Sequence, residues 1–129
     1  MAHLVSSLPT LCTLLLLCFI SGGTLNLVDG QAPGQGAWCI AKPSTPDDTL
    51  TENLDYACAN IDCSITKEGG PCFEPQTLIN HASVAMNLYY QSQGRHTWNC
   101  DFKTTAVISV TDPSFGTCTF LFNQTVKTR

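Results

Sequence analysis

Residues 58–72 read CANIDCSITKEGGPC, three cysteines within fifteen residues, set where one helical pattern stops and before another begins. Gly69 and Gly70 favour an irregular backbone and Pro71 lacks the N–H a helix needs, so the preceding helix cannot run through. The stretch is therefore a loop. Cys58 and Cys63, separated by four residues, predict a local disulfide that pins it.

Upstream, Thr49 followed three residues later by Glu52 predicts a capping box opening a helix. Leu50, Leu54, Ala57 and Cys58 fall on one face of it, which turns Tyr56 toward solvent. Downstream, Pro75 is expected at a first helical position, opening a longer helix to about Gln93 with Gly94 as its C′ residue. Leu78, Ala82, Ala85 and Tyr89 define the predicted core stripe, flanked by Ile79 and Met86, and Tyr90 sits at its edge. Residues 105–111 and 117–122 are rich in β-formers and are separated by the turn chemistry of Asp112, Pro113 and Gly116, which predicts an antiparallel hairpin. Residues 31–37 have no apolar period and predict a flexible lead-in, with order beginning near Trp38. The expected fold is a small disulfide-rich α+β domain over residues 38–122. Residues 123–129 form a short tail.

The chain opens with an apolar run through Leu11 to Ile20, too short to span a bilayer and of signal-peptide length. Cleavage is expected between residues 22 and 30, with Gly30 suiting the small-residue rule, so 1–30 reads as a leader. Cys12 and Cys18 leave with it, and Cys39, Cys58, Cys63, Cys72, Cys100 and Cys118 remain for an oxidising compartment to pair. Composition leaves the pairing open. A zinc site from Cys58, Cys63 and Cys72 with His81 or His96 lacks the paired short knuckles such sites use. Ten acids against six bases give a formal charge of -4, and Asp29 is lost with the leader. A mildly acidic chain does not suit nucleic acid or an anionic membrane as its main partner. No apolar tail for a lipid anchor follows Cys118, so an unanchored, secreted, monomeric protein is expected.

Catalytic machinery is hard to assemble from these residues. His81 and His96 are the histidines beyond the leader, and neither accompanies a serine elbow or metal motif. A glycosidase needs two carboxylates facing across a cleft; Glu52 is accounted for by capping, and Asp55, Asp62 and Glu74 read as surface acids. Neither enzyme activity nor a cofactor is expected. The aromatics are more informative. Sugar rings stack their C–H faces on exposed aromatic rings while their hydroxyls seek amides and carboxylates. Tyr56 beside Glu52 and Asn53, with Asp55 adjoining, Tyr90 with Ser83 and Asn87 further round the helix, Trp98 in the polar run of residues 95–99, and Phe115 at the hairpin tip are the candidates. Trp38, Phe102, Phe120 and Phe122 read as packing residues, as does Tyr89. Asn123, followed by Gln124 and Thr125, forms an N-glycosylation sequon.

Trp38 to Lys42, Leu54 to Cys58, Asp62-Cys63, Gly70 to Pro75, His81 to Ser83, Met86 to Gln91 and Cys100 to Phe102 together closely resemble carbohydrate-binding module family 43, the X8 domain. This is the plant callose-binding domain of some β-1,3-glucanases, plasmodesmal callose-binding proteins and olive-type pollen allergens. The likeness covers about residues 37–121. It implies two main helices at an angle, a short two-stranded antiparallel sheet and long coils. It also implies the pairing Cys39 with Cys100, Cys58 with Cys63, and Cys72 with Cys118. The implied activity is binding of β-1,3-glucan without catalysis, with Tyr56, Tyr90 and Trp98 at matching aromatic positions. Many members are tethered or fused to a catalytic domain; this sequence instead suggests a diffusible protein of the plant cell wall. Two rival classes are an accessory part of a glucan hydrolase system and a cysteine-rich defence or structural protein with a protein partner.

Overall fold

The computed structural model describes residues 35–129; the expected leader and the first residues of the lead-in lie outside the described residues. Four elements follow in order: β1 (Gln35–Ala41), α1 (Asp47–Asn60), α2 (Leu78–Ser92) and β2 (Ala106–Thr111). Single 3₁₀ turns lie at Ser64–Thr66 and Thr97–Cys100. Three disulfides close the framework: Cys39–Cys100, Cys58–Cys63 and Cys72–Cys118. This is the small disulfide-rich α+β fold that the resemblance implies, with its pairing.

The sheet corrects the expected hairpin. β2 pairs antiparallel with β1, placing Cys39 opposite Ile108 and Ala41 opposite Ala106, with an irregularity between Gln35 and Trp38. Residues 117–122 form no strand. Their backbone is committed elsewhere: Phe120 C=O accepts the buried Trp38 indole N–H at 3.0 Å, and Leu121 C=O accepts the Asn87 amide at 2.9 Å. The predicted turn closes on itself instead, through the Phe115 and Cys118 backbone pair. Order also starts earlier than expected. Gln35 to Ala37 belong to β1, and a Cβ on Gly36 would stand 2.7 Å from the Trp38 ring, so only glycine lets the strand lie against the indole.

Both helix starts differ from expectation. α1 begins at Asp47, with Asp48 Oδ1 accepting the Thr49 N–H at 2.8 Å, and no capping box forms. Two carboxylates in the first turn favour this earlier start, because the helix dipole stabilises negative charge there by about 0.3–1 kcal/mol each. α2 begins at Leu78, not at Pro75. The Thr77 hydroxyl caps it by accepting the Asn80 N–H, satisfying one of the orphan donors of the first turn. At its far end Gly94 adopts φ +91°, as a C′ glycine does.

α2 lies between α1 and β1 and is buried round most of its circumference. One apolar cluster gathers Trp38, Ala57, Ile61, Val84, Leu88 and Phe120 beside the Cys72–Cys118 bridge. A second gathers Leu50, Ala82, Met86 and Tyr90 beside Cys39–Cys100. Residues 123–129 are docked, not a free tail. Asp62 N–H donates to Lys127 C=O and Arg129 N–H to Asn60 C=O, while the Arg129 guanidinium donates to Cys58 C=O near the negative end of α1.

Candidate functional site

A groove of about 420 Å³ opens where α1, α2, the 3₁₀ turn and the loop into β2 converge. Each element contributes for a local reason. Tyr56 projects from α1 about 100° round from the buried Ala57 and is 55% exposed. Tyr89 stands at the margin of α2's buried surface. Its hydroxyl lies 3.2 Å from that of Tyr56, with ring centroids 5.3 Å apart and planes at 68°. That hydrogen bond, and burial after it, holds the Tyr89 phenol above its ordinary value of 10.0, so the pair remains linked through neutral pH.

Phe102 completes the aromatic corner, edge-on to both tyrosines at 6.4 and 5.8 Å. It arrives there through three consecutive left-handed residues, Phe102, Lys103 and Thr104, with φ of 47°, 56° and 65°. Such backbone costs roughly 1–2 kcal/mol per non-glycine residue and persists only where surrounding bonds hold it. They do so here: Thr105 N–H returns to Asp101 C=O, Lys42 Nζ reaches Thr104 C=O at 2.7 Å, and the Asn53 amide donates to Thr105 Oγ1 at 2.9 Å.

Trp98 stands on the turn beside this corner, 71% exposed. Polar groups surround the rings: Asn53 and Asn99 on the inner side, Asp101 near the loop, and Glu52 paired with Lys103 at 3.6 Å. Asn99 Oδ1 is enclosed without a hydrogen-bond partner among the described residues, an unmet acceptor that costs stability until a donor reaches it. The groove thus sets apolar ring faces beside amide and carboxylate groups.

The structure sorts the expected site residues. Tyr56 and Trp98 line the groove. Tyr90 does not: it is 2% exposed within the second core cluster, its phenol raised by burial. Its neighbour Tyr89, expected in the core, takes the groove position. The helical wheel fails because α2 packs on both sides, so its apolar surface is no single stripe. Asn87 is 1% exposed, its carbonyl accepting Cys39 N–H at 3.1 Å while its amide donates to Leu121 C=O. Asp55 is exposed on α1 away from the groove lining. Phe115 lies in a separate shallow cleft with Pro71, Glu74 and Pro75. Phe102, expected as packing, is a wall of the groove, and nothing in the run Asp101 to Thr104 signals a left-handed turn, since it holds neither glycine nor asparagine. His81, expected to bond locally, contacts Phe73 C=O through Nε2 at 2.7 Å.

Comparison with known proteins places this geometry in context. The X8 domain profile matches residues 37–107. A glucan endo-1,3-beta-D-glucosidase of Olea europaea is 55% identical over 86 residues, which are 66% of this chain and 19% of that enzyme. The major pollen allergen Ole e 10 of the same species is 44% identical over 95 residues, 70% of this chain and 77% of the allergen. Plasmodesmata callose-binding protein 2 of Arabidopsis thaliana is 39% identical over 85 residues, 65% and 44% of the two chains. The chain thus spans about a fifth of the length of the glucosidase it matches.

Proposed function

Because the chain belongs to the X8 domain family, we propose that it is a carbohydrate-binding module that holds β-1,3-glucan in the aromatic groove without cleaving it. One observation carries the reading. Tyr56, Tyr89, Phe102 and Trp98, drawn from four separate segments, converge beside amides and carboxylates on an open surface. Relatives named for glucan endo-1,3-beta-glucosidase activity and for callose binding support the choice of polymer. Edge-to-face rings offer stacking surfaces in several orientations, which suits a chain whose successive sugars turn relative to one another. Affinity comes from several weak stacking contacts, so the role is location and not chemistry.

The accompanying features belong to the same proposal. Residues 1–30 act as an export leader, and the product is a monomer of the plant cell wall that takes no cofactor. No helix among the described residues is long and apolar enough to cross a membrane. Asn123 is exposed at φ 55°, with its N–H donating to Gln91 Oε1, so a glycan there would leave from the Gln91 side of α2. Two residues along a helix turn the surface by about 200°, which puts that glycan well round from Tyr89 and the groove.

The deciding experiment is retention of the oxidised protein on insoluble β-1,3-glucan, with cellulose and chitin in parallel. Retention on the β-1,3-glucan alone is expected; absence of retention on all three removes the reading. Incubation with soluble β-1,3-glucan should release no new reducing ends, and their appearance would move the protein to the hydrolase class.

A further inference from the structure

Trp98 shares its turn with a second ring. The His96 imidazole lies parallel to the indole, with 4.4 Å between centroids and 3° between planes. The segment delivering both rings is anchored on each side. Gly94 and Arg95 are left-handed, φ 91° and 62°, which reverses the chain at the end of α2. Arg95 N–H donates to Tyr90 C=O at 3.0 Å, and its guanidinium sits 5.3 Å over the Phe122 ring. Beyond the rings, Asn99 N–H closes onto His96 C=O at 2.9 Å and Cys100 is bridged to Cys39. Glycine at 94 takes the left-handed φ of 91° that starts this reversal without the strain a side chain would bring there.

We propose that His96 is a positioning residue for the glucan groove: it covers one face of Trp98 and fixes the plane of the indole, so that sugar stacks on the opposite face alone. The inference rests on the glucan-binding reading above and adds how the platform is set. An exposed tryptophan free to change rotamer must be ordered when ligand arrives, which lowers affinity. A ring already stacked has lost that freedom in the unbound protein. Immobilising one such side chain corresponds to roughly a three- to tenfold change in affinity. The stack also makes the platform one-sided, so Trp98 cannot be sandwiched between two glucan chains.

The test compares the parent with His96→Ala and His96→Phe, the second keeping a flat ring without the imidazole nitrogens. Acrylamide quenching of tryptophan fluorescence is measured first, without sugar. Trp38 is 3% exposed, so the quenching reports on Trp98. Each protein is then titrated with a linear β-1,3-linked glucan hexasaccharide. His96→Ala is expected to raise quenching and weaken binding about three- to tenfold, and His96→Phe to return both toward the parent. A His96→Ala protein that quenches or binds like a binding parent overturns the inference alone, as does a His96→Phe protein that fails to restore either. A parent that does not bind the hexasaccharide overturns the proposed function and this inference with it.

Discussion

The two sides of α2 use similar polar and aromatic residues for opposite ends. On the β1 side, Ser83, Asn87 and Gln91 are buried and bond to backbone: Ser83 Oγ accepts Ala41 N–H, Asn87 accepts Cys39 N–H, and the Gln91 amide donates to Ala37 C=O. They complete the ladder that a two-stranded sheet leaves open along the outer edge of β1. On the α1 side, Tyr89 joins Tyr56 and Phe102 around an open groove. The lesson is that amide chemistry near an aromatic does not mark a sugar site by itself. In a domain this small, a helix that must hold a strand edge uses its amides internally, and the site's polar partners come from other segments.

The comparison can be broken at the anchor that serves both sides. Cys39 lies in β1 and Cys100 ends the turn bearing Trp98, 61 positions apart. Replacing both by serine is expected to destabilise by about 4 kcal/mol, as loop-closure entropy returns to the unfolded chain. Urea unfolding and glucan retention should both deteriorate; a double variant that keeps either one would show the two sides to be independently held.

On the strand-holding side, Asn87→Leu leaves a buried N–H and C=O without partners. A loss of about 2–4 kcal/mol in stability is expected, with binding per folded molecule unchanged. Reduced affinity at full folding would mean that Asn87 contacts ligand after all. On the groove side the pattern should invert. Trp98→Ala and Tyr56→Ala are each expected to weaken hexasaccharide binding by about tenfold or more while shifting stability by less than about 1 kcal/mol. Tyr90→Phe, which keeps the buried ring, and Phe115→Ala, in the separate cleft, serve as matched controls and should bind within about twofold of the parent. Equal loss on Phe115→Ala would relocate the site.

The smallest effect concerns pH. Ser64, through its N–H and hydroxyl, holds the Asp62 carboxyl below its ordinary value of 3.8, and Lys127 and Arg129 add to this. A depressed folded value means that its stabilisation is present above 3.8 and is lost as pH falls through the lowered value. Asp62→Asn should flatten that acid limb in thermal melts while leaving glucan binding at neutral pH untouched. An unchanged acid limb would show that the docked C-terminal residues do not depend on this carboxylate.

Much of the fold was legible because its signals are local. The loop through Gly69, Gly70 and Pro71, the Gly94 C′ residue and the outward turn of Tyr56 each follow from backbone preference or from period along a few residues, although α1 already ends at Asn60, ahead of the glycines. The hairpin was misread for a related reason: residues 105–111 and 117–122 are adjacent in sequence and both have β character, but β2's partner lies some seventy positions upstream, in a glycine-containing stretch with no strand pattern of its own. Tyr89 and Tyr90 were exchanged because a helical wheel assumes one buried side, and α2 has two.

Composition and spacing by themselves determined a small cysteine-rich chain with two helices and a supply of aromatics, since these depend on residue type and near neighbours. The tertiary structure decided which aromatics are free to act. Pairing of β1 with β2, enclosure of α2 on two sides and the left-handed turn at Phe102 are set by contacts between residues far apart in sequence. Burial, unlike helical period, is a property of those contacts.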